Sequence, residues 1–152
     1  MGRNERLSLK YVDLDDMIVQ NKGKSISDIF QEEGESAFRA AESMVTAIIA
    51  SNYGQVIACG GGTVLDSKNA EALKASSYMV LLTSKPETIL KRIEAEGEIR
   101  PLLMVDDKLA RIKSLLEERY SHYLEVADLI VDTTELTPEE VANIIMEKLG
   151  GV

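Results

Sequence analysis

The chain has 152 residues, 45% hydrophobic and 28% charged, a composition typical of one globular domain and not of a disordered chain. Its net charge of −9 argues against a nucleic-acid partner, since such binding depends on clustered Lys and Arg. One cysteine excludes an intramolecular disulfide framework, and no apolar run reaches the ~18 residues of a membrane span, so we expect a single cytoplasmic domain over 1–152 without a membrane partner.

The first third of the chain predicts a strand end followed by two helices. Alternating apolar and acidic residues over 11–16 indicate a strand that runs into a loop. Ser25, with Asp28 three residues later, predicts the start of a short helix. A longer helix is predicted from Ser36 to about Ala50, because apolar residues recur there at helical spacing. The apolar face of that helix is predicted to consist of Phe38, Ala41, Met44, Val45 and Ile48.

The apolar run from Gln55 to Cys59 ends in three consecutive glycines, Gly60, Gly61 and Gly62. The run predicts a buried strand, in which Cys59 is a small buried hydrophobe and not a nucleophile. Ligands of α/β proteins bind at the carboxyl ends of strands, and glycines there allow the backbone to approach a ligand closely. We therefore interpret the glycines as part of a binding site, with a simple tight turn as the alternative.

The second half of the chain alternates strands with helices. Such alternation predicts parallel pairing, and hence an α/β fold of three α/β/α layers with a parallel sheet. Residues 96–101 break the helical pattern with Gly97 and Pro101, which predicts an exposed loop that carries Arg100. Strands are predicted over 78–82 and 129–131, and helices over 66–73, from Ser84 to about Ala95, from about 106 to 120, and from Thr137 to the residues before Gly150.

Five charged side chains are candidates for a site. Asp13 and Asp15 lie two residues apart at a predicted strand end and would point to one side, which suits a hard cation or a polyhydroxy ligand; an acidic turn is the alternative. Arg100 is typical of a mobile lid, or of a solvated loop. Arg39 and Arg119 have glutamates nearby at helical positions, so a surface ion pair is their default interpretation.

Two further features are excluded as functional sites. The single His122 has neither a second histidine nor a nearby cysteine, so we assign it to the surface or to packing and not to a metal. Gly23-Lys24-Ser25 resembles the end of the phosphate-binding motif G-x-x-x-x-G-K-[ST]. The position five residues before Gly23 is Ile18, however, and no buried strand leads into the segment, so it is not a phosphate cradle.

A more specific signal lies in the order of six short segments. They are Asp13-Leu14-Asp15, Ser25 to Phe30, Glu33-Gly34-Glu35 with Phe38-Arg39, Gly60-Gly61-Gly62, Arg100 to Leu103, and Glu118-Arg119 with Tyr123. Each segment is weak evidence alone. In this order and at these separations the chain resembles the shikimate kinase family, from about residue 7 to residue 149.

The resemblance implies a P-loop kinase fold of the nucleoside-monophosphate-kinase type. It also implies an ATP-dependent transferase of aromatic amino-acid (chorismate) biosynthesis, which phosphorylates the 3-hydroxyl of shikimate with Mg²⁺ as cofactor. The small-molecule partners would be shikimate and ATP, and the protein would be a monomer. The substrate-binding region would span about 13–62 and the lid about 96–106.

The resemblance also implies a role for each candidate residue. Asp15 would hold the substrate hydroxyls and accept the proton of the attacking one. Arg39 and Arg119 would clamp the shikimate carboxylate, for which planar two-pronged donors are suited. Gly60, Gly61 and Gly62 would line the same pocket, because any Cβ would collide with a ring held so close.

The nucleotide side of the implied site involves Asp13 and Arg100. Asp13 would bind Mg²⁺ through water, and Arg100 would move in on the lid to neutralise phosphate charge during transfer. In the family, a first strand leads into a G-x-x-x-x-G-K-[ST] loop before the paired aspartates, and the sequence contains no such segment. We therefore expect a sheet without its first strand, and turnover only when the loop is present. The alternatives are a noncatalytic shikimate-pocket module or truncated fragment, or another small-molecule P-loop kinase such as a gluconate kinase.

Overall fold

The computed structural model describes residues 9–97, 103 and 105–150. Within these ranges the chain alternates short strands with helices in the order predicted for an α/β fold. The strands are β1 (Lys10–Asp13), β2 (Gln55–Ala58), β3 (Val80–Thr83) and β4 (Leu129–Asp132). The helices are α1 (Leu14–Lys22), α2 (Ile26–Glu33), α3 (Glu35–Ala50), α4 (Ser67–Ser76), α5 (Pro86–Glu96), α6 (Lys108–Val126) and α7 (Pro138–Lys148), with a 3₁₀ turn at Thr63–Leu65.

The four strands form two parallel pairs. β1 pairs with β2, from Lys10 opposite Gln55 to Asp13 opposite Ala58. β3 pairs with β4 in the same parallel sense, and in the described part of the chain β2 and β3 are not hydrogen-bonded to each other. The predicted parallel pairing is confirmed. It brings the carboxyl ends of β1 and β2 side by side, where the glycines follow β2.

The residues after β1 form a helix, so the predicted loop there is wrong. Asp13 ends the strand with an extended backbone and caps α1, because its Oδ1 accepts the amide hydrogens of Asp15 (2.8 Å) and Asp16 (3.2 Å). Leu14 and Ile18, one helical turn apart, are completely buried. Since Asp15 lies in the first turn of α1, it does not share a strand face with Asp13, and the argument from strand geometry was wrong.

Helix α3 begins one residue earlier than predicted, and of its predicted apolar face Phe38, Ala41 and Val45 are buried while Met44 and Ile48 are not. Its buried residues recur at helical spacing, as an amphipathic helix requires. Met44 and Ile48, both predicted to be on the apolar face, are 46% and 56% exposed because they lie outside that stripe. The buried stripe consists of Phe38, Ala41, Glu42, Val45, Thr46, Ile49 and Ala50.

Local capping signals account for several helix starts. The Ser25 hydroxyl accepts the amide hydrogen of Asp28 (3.1 Å), so the predicted start of α2 is confirmed. Thr137 and Glu140 form a reciprocal capping box at the start of α7. At α5, by contrast, the helix begins at Pro86, two residues after the predicted Ser84, and its N-cap Lys85 makes no side-chain capping bond.

Two hydrophobic clusters hold the helices in place. The first joins β1 to α1, α2 and α3 through Val12, Leu14, Ile18, Ile29, Phe38, Ala41, Val45 and Ile49. The second joins β4 to α7 through Val131, Val141 and Ile145. Helix α6 packs against α5 and against the 3₁₀ turn. In the described ranges no helix has the length and apolar character needed to cross a membrane.

Candidate active site

The glycine turn, defined here as Gly60–Gly62, connects β2 to the 3₁₀ turn. The carbonyls of Gly60 and Gly62 accept amide hydrogens from Thr63 and Leu65 respectively, each at 3.2 Å. None of the three glycines has a positive φ, and Gly62 has φ −96° and ψ −6°, values that any residue adopts. Backbone conformation therefore does not require glycine here, and the explanation must lie in what surrounds the turn.

Two of the predicted site residues face the first two glycines. A Cβ added to Gly60 would lie 3.4 Å from Asp15 Oδ1, which is an ordinary contact. A Cβ added to Gly61 would lie 3.1 Å from Arg119 Nη1, closer than most real contacts. The turn therefore has a carboxylate beside one glycine and a guanidinium beside the next.

Arg39 faces Gly62 and is held in place by its own helix. A Cβ on Gly62 would lie 2.7 Å from Arg39 Cζ, a separation that Cβ atoms essentially never show. The guanidinium donates to Glu42 Oε1 (2.9 Å) and Glu35 Oε2 (3.4 Å), and it lies 5.0 Å from the centre of the Phe38 ring. The ion pairs predicted for Arg39 are present, but one of them joins a buried carboxylate and is not a surface pair.

Glu42 connects this arginine to the glycine turn. Glu42 is only 2% exposed, and its Oε2 accepts the hydroxyl hydrogen of the fully buried Thr63 (2.9 Å). The carbonyl of Thr63 in turn accepts from Asn69 Nδ2 (3.1 Å). Sequence reasoning missed Glu42 and Thr63 as parts of the site. The available signal was the position of Glu42 within the buried helical stripe that also contains Val45.

Arg119 differs from Arg39 in its partners. It is half-buried on α6 and makes no ion pair with any residue that the structure describes, so the default surface pair is not seen there. One helical turn later, the Tyr123 hydroxyl donates to the Gly61 carbonyl. Arg119 is thus a cation that borders the turn with hydrogen-bond donors available for an anion.

These groups surround one cavity of about 250 Å³. This volume lies just below the ~300–1,000 Å³ of typical ligand pockets, which favours a small ligand. The polar part of its lining comes from Asp15, Arg39, Glu42, the glycine turn, Arg119 and Tyr123. The apolar part comes from Ile26, Phe30, Phe38, Ile89, Ile93, Leu103, Ile112, Leu115 and Leu116.

Asp13 does not line this cavity. Its Oδ1 is engaged by the two helix amides, and its Oδ2 accepts from the Tyr11 hydroxyl at 3.4 Å. Over the ranges that the structure describes, no group of three or more His, Cys, Asp or Glu residues is arranged to hold a metal ion. Asp13 is therefore first of all a helix cap.

Cys59 is exposed, so the prediction of a buried residue is wrong; it lies one residue beyond the end of β2. Local desolvation, followed by the negative charges of Glu42, Asp13 and Asp15, raises the pKa of its thiol to about 11. A raised pKa disfavours the thiolate, which is the reactive form.

We therefore expect iodoacetamide near pH 8 to alkylate Cys59 about 100-fold more slowly than a free cysteine of pKa ~8.5. The chain unfolded in urea, where the carboxylates no longer surround the thiol, is the control and should react at the free-cysteine rate. A folded chain that reacts equally fast would contradict the raised pKa.

Comparison with known proteins assigns the chain to a family. The family model described as shikimate kinase matches residues 4–150. Shikimate kinases from Symbiobacterium thermophilum and Thermodesulfovibrio yellowstonii are 38% and 40% identical to the chain, each over 95% of it and over 84% and 82% of their own lengths. The chain belongs to the shikimate kinase family. The family predicted from the six ordered segments is thus confirmed.

A solved shikimate kinase shares the fold. The enzyme from Acinetobacter baumannii, in complex with shikimate, superposes with a TM-score of 0.91 at 32% identity, covering 97% of this chain and 83% of that one. The predicted α/β fold of the P-loop kinase type is therefore confirmed.

The structure brings together most of the site that the shikimate kinase resemblance implies. Asp15, Arg39, Arg119 and the glycine turn all line the cavity. Asp13 lies outside the cavity lining, and Arg100, predicted for the lid, lies outside the described residues.

Proposed function

We propose that the chain acts as a shikimate kinase, which transfers the γ-phosphoryl group of ATP to the 3-hydroxyl of shikimate. One observation carries this proposal: the guanidinium groups of Arg39 and Arg119 and the carboxylate of Asp15 converge on a small cavity, one side of which is apolar. The second carboxylate of the lining, that of Glu42, is already paired with Arg39. That combination suits a hydroxylated ring that bears a single carboxylate. Membership of the shikimate kinase family supports the same substrate.

The two arginines would bind the substrate carboxylate. Arg119 has no ion pair with a described residue, so its donors can meet an incoming anion without breaking an ion pair within the described ranges. Arg39 already shares its charge with the buried Glu42, which fixes the direction of its guanidinium. Arg119 would therefore supply most of the attraction, and Arg39 would supply orientation.

Asp15 would act on the hydroxyl end of the substrate. Its carboxylate lies beside Gly60, in the first turn of α1, where the helix amides favour negative charge. A carboxylate there can accept a hydrogen bond from a substrate hydroxyl and orient it toward a phosphoryl donor. During transfer Asp15 would take up the proton that the attacking hydroxyl releases.

The nucleotide side of the proposal rests on fewer residues. Mg²⁺ would accompany ATP, and Asp13 would hold it through water. The carboxylates of the described ranges form no metal site of their own, so we assign no step of the transfer to the ion. Arg100 remains the proposed lid residue.

We further propose a monomeric, cytoplasmic protein that binds neither nucleic acid nor membranes.

Calorimetry with shikimate and with its methyl ester tests the substrate assignment. The ester keeps the ring and hydroxyls but removes the negative charge, so we expect at least tenfold weaker binding of the ester. Gluconate, an open-chain acid, should bind weakly because it cannot cover the apolar wall. Equal binding of the ester, or preference for gluconate, would contradict a shikimate site.

A coupled assay of ADP release tests the reaction itself. With a strand and a G-x-x-x-x-G-K-[ST] loop placed ahead of the chain, we expect ADP release that depends on shikimate, and Asp15→Asn should reduce it at least 100-fold by removing the proton acceptor. Shikimate binding that is indifferent to ATP and Mg²⁺, with no ADP release, would contradict a kinase and favour the noncatalytic shikimate-pocket module.

A further inference from the structure

Tyr123 contacts the glycine turn at Gly61, the residue before the one that faces Arg39. It lies four residues after Arg119 on α6, so both side chains project from the same face of the helix. Its hydroxyl donates to the carbonyl of Gly61, and a Cβ on that glycine would lie 3.3 Å from the hydroxyl and 3.1 Å from Arg119 Nη1. One glycine therefore contacts both side chains.

Tyr123 binds the one carbonyl of the glycine turn, that of Gly61, that accepts no backbone amide of a described residue. The carbonyls of Gly60 and Gly62 are fixed by amides of the 3₁₀ turn (3.2 Å each). In the described ranges, that of Gly61 accepts from Tyr123 alone. Glycine peptides rotate easily, and a trans peptide points its carbonyl and the next amide in opposite directions. Fixing the Gly61 carbonyl thus also fixes where the Gly62 amide points.

The turn is consequently tied to both arginine helices. On one side, the Thr63 hydroxyl donates to Glu42, the same carboxylate that holds Arg39 on α3. Toward α6, the helix of Arg119, the Tyr123 hydroxyl donates a hydrogen bond to the Gly61 carbonyl. The distance between the two guanidinium groups depends on both links.

We propose that Tyr123 is a positioning residue: by holding the Gly61 carbonyl, it sets the place of Arg119 relative to Arg39 in the substrate clamp. The inference deepens the proposed function and rests on it, because the clamp is defined by the substrate carboxylate. Tyr123 acts through the turn and through Arg119, and it takes no part in proton transfer.

Tyr123→Phe tests this role, since it removes the hydroxyl and keeps the ring. We expect the dissociation constant of shikimate to rise about tenfold, the typical loss for one hydrogen bond of this kind. In the ligand-free protein, backbone amides of residues 58–66 should exchange hydrogen for deuterium several-fold faster. Tyr120→Phe is the matched control, because Tyr120 is exposed on the same helix, and it should change neither quantity.

A double substitution separates positioning from direct contact with the substrate. If Tyr123 acts through Arg119, then Tyr123→Phe in an Arg119→Ala background should weaken shikimate binding less than twofold further. A full additional tenfold loss would show direct contact and overturn the proposal. Unchanged affinity in Tyr123→Phe, with or without faster exchange, would overturn it as well. If the unsubstituted chain does not bind shikimate, the proposed function fails and not the role of Tyr123. Amide exchange in residues 58–66 then tests that role: an unchanged rate in Tyr123→Phe would show that Tyr123 does not hold the glycine turn.

Discussion

Arg119→Ala is expected to weaken shikimate binding about 100-fold, equivalent to a loss of roughly 3 kcal/mol. Arg119 borders the cavity beside Gly61 and has no ion pair with a described residue, so its removal takes away attraction for the substrate without leaving a known partner unpaired. The thermal unfolding midpoint should change little. Calorimetric titration with shikimate, beside a thermal melt of the same sample, measures both quantities.

Two further variants define what Arg119 contributes. Arg119→Lys keeps the charge but loses the planar pair of donors, so we expect about a tenfold loss in place of 100-fold. Lys113→Ala removes a positive charge from the same helix at a site that is 54% exposed and pairs only loosely with Glu87 (3.8 Å), and it should leave binding unchanged. If Lys113→Ala weakened shikimate binding as much as Arg119→Ala, the substrate would be attracted by the overall positive charge of α6 and not by a specific contact with Arg119.

Arg39 is a less direct probe of the carboxylate site. Removing it would leave the buried Glu42 with the Thr63 hydroxyl as its one partner among the described residues, and an uncompensated buried carboxylate destabilises a fold. A loss of binding in Arg39→Ala would therefore combine a missing donor with a disturbed glycine turn. Arg39→Ala is thus harder to interpret than Arg119→Ala because Arg39 has a buried partner, although both arginines line the cavity.

The sequence predicted what depends on local chemistry. Ser25 and Thr137 start their helices as expected because a cap needs only the amides within the next turn. The missed helix α1 shows the limit of this reasoning. Asp13 and Asp15 alternate with apolar residues as at a strand end, yet the apolar residues Leu14 and Ile18, four positions apart, have the spacing of a helix face.

The site was predicted less completely, because its contacts join distant parts of the chain. Arg39 with Glu42 has the spacing of an ordinary surface pair, and only the approach of Thr63, 21 residues further on, makes Glu42 a buried link. Tyr123 and Gly61 are 62 residues apart, so no local pattern could have paired them. Ordered motifs identified the substrate-side residues, whereas the residues that hold them together required tertiary structure.

The structure gives a different reason for glycine at positions 60–62 from the one that the family resemblance implied. The sequence suggested that a Cβ would collide with the substrate ring, but in the structure the nearest atoms belong to the charged side chains. The expected crowding increases along the turn, with closest approaches of 3.4 Å at Gly60 and 3.1 Å at Gly61, and a clash with the guanidinium of Arg39 at Gly62. A series of alanine substitutions can therefore separate the two explanations.

Gly62→Ala is expected to weaken shikimate binding by about 100-fold, because the new methyl group would displace the Arg39 guanidinium, and a misplaced binding group costs on that order. The backbone of Gly62 accepts alanine without strain, and the displaced group is the end of a flexible side chain, so the loss of stability should stay within about 2 kcal/mol. Calorimetry and a urea titration measure the two effects.

Gly60→Ala is the matched control, since its methyl group would meet only ordinary contacts of 3.4 to 3.6 Å, and we expect less than a threefold loss. In an Arg39→Ala background, Gly62→Ala should cost little more, because the group that it displaces is already gone. If Gly60→Ala and Gly62→Ala were equally harmful and both losses persisted without Arg39, the glycines would be required by the substrate itself. If only Gly62→Ala is harmful, and only while Arg39 is present, the turn is glycine so that an arginine can lie against the backbone.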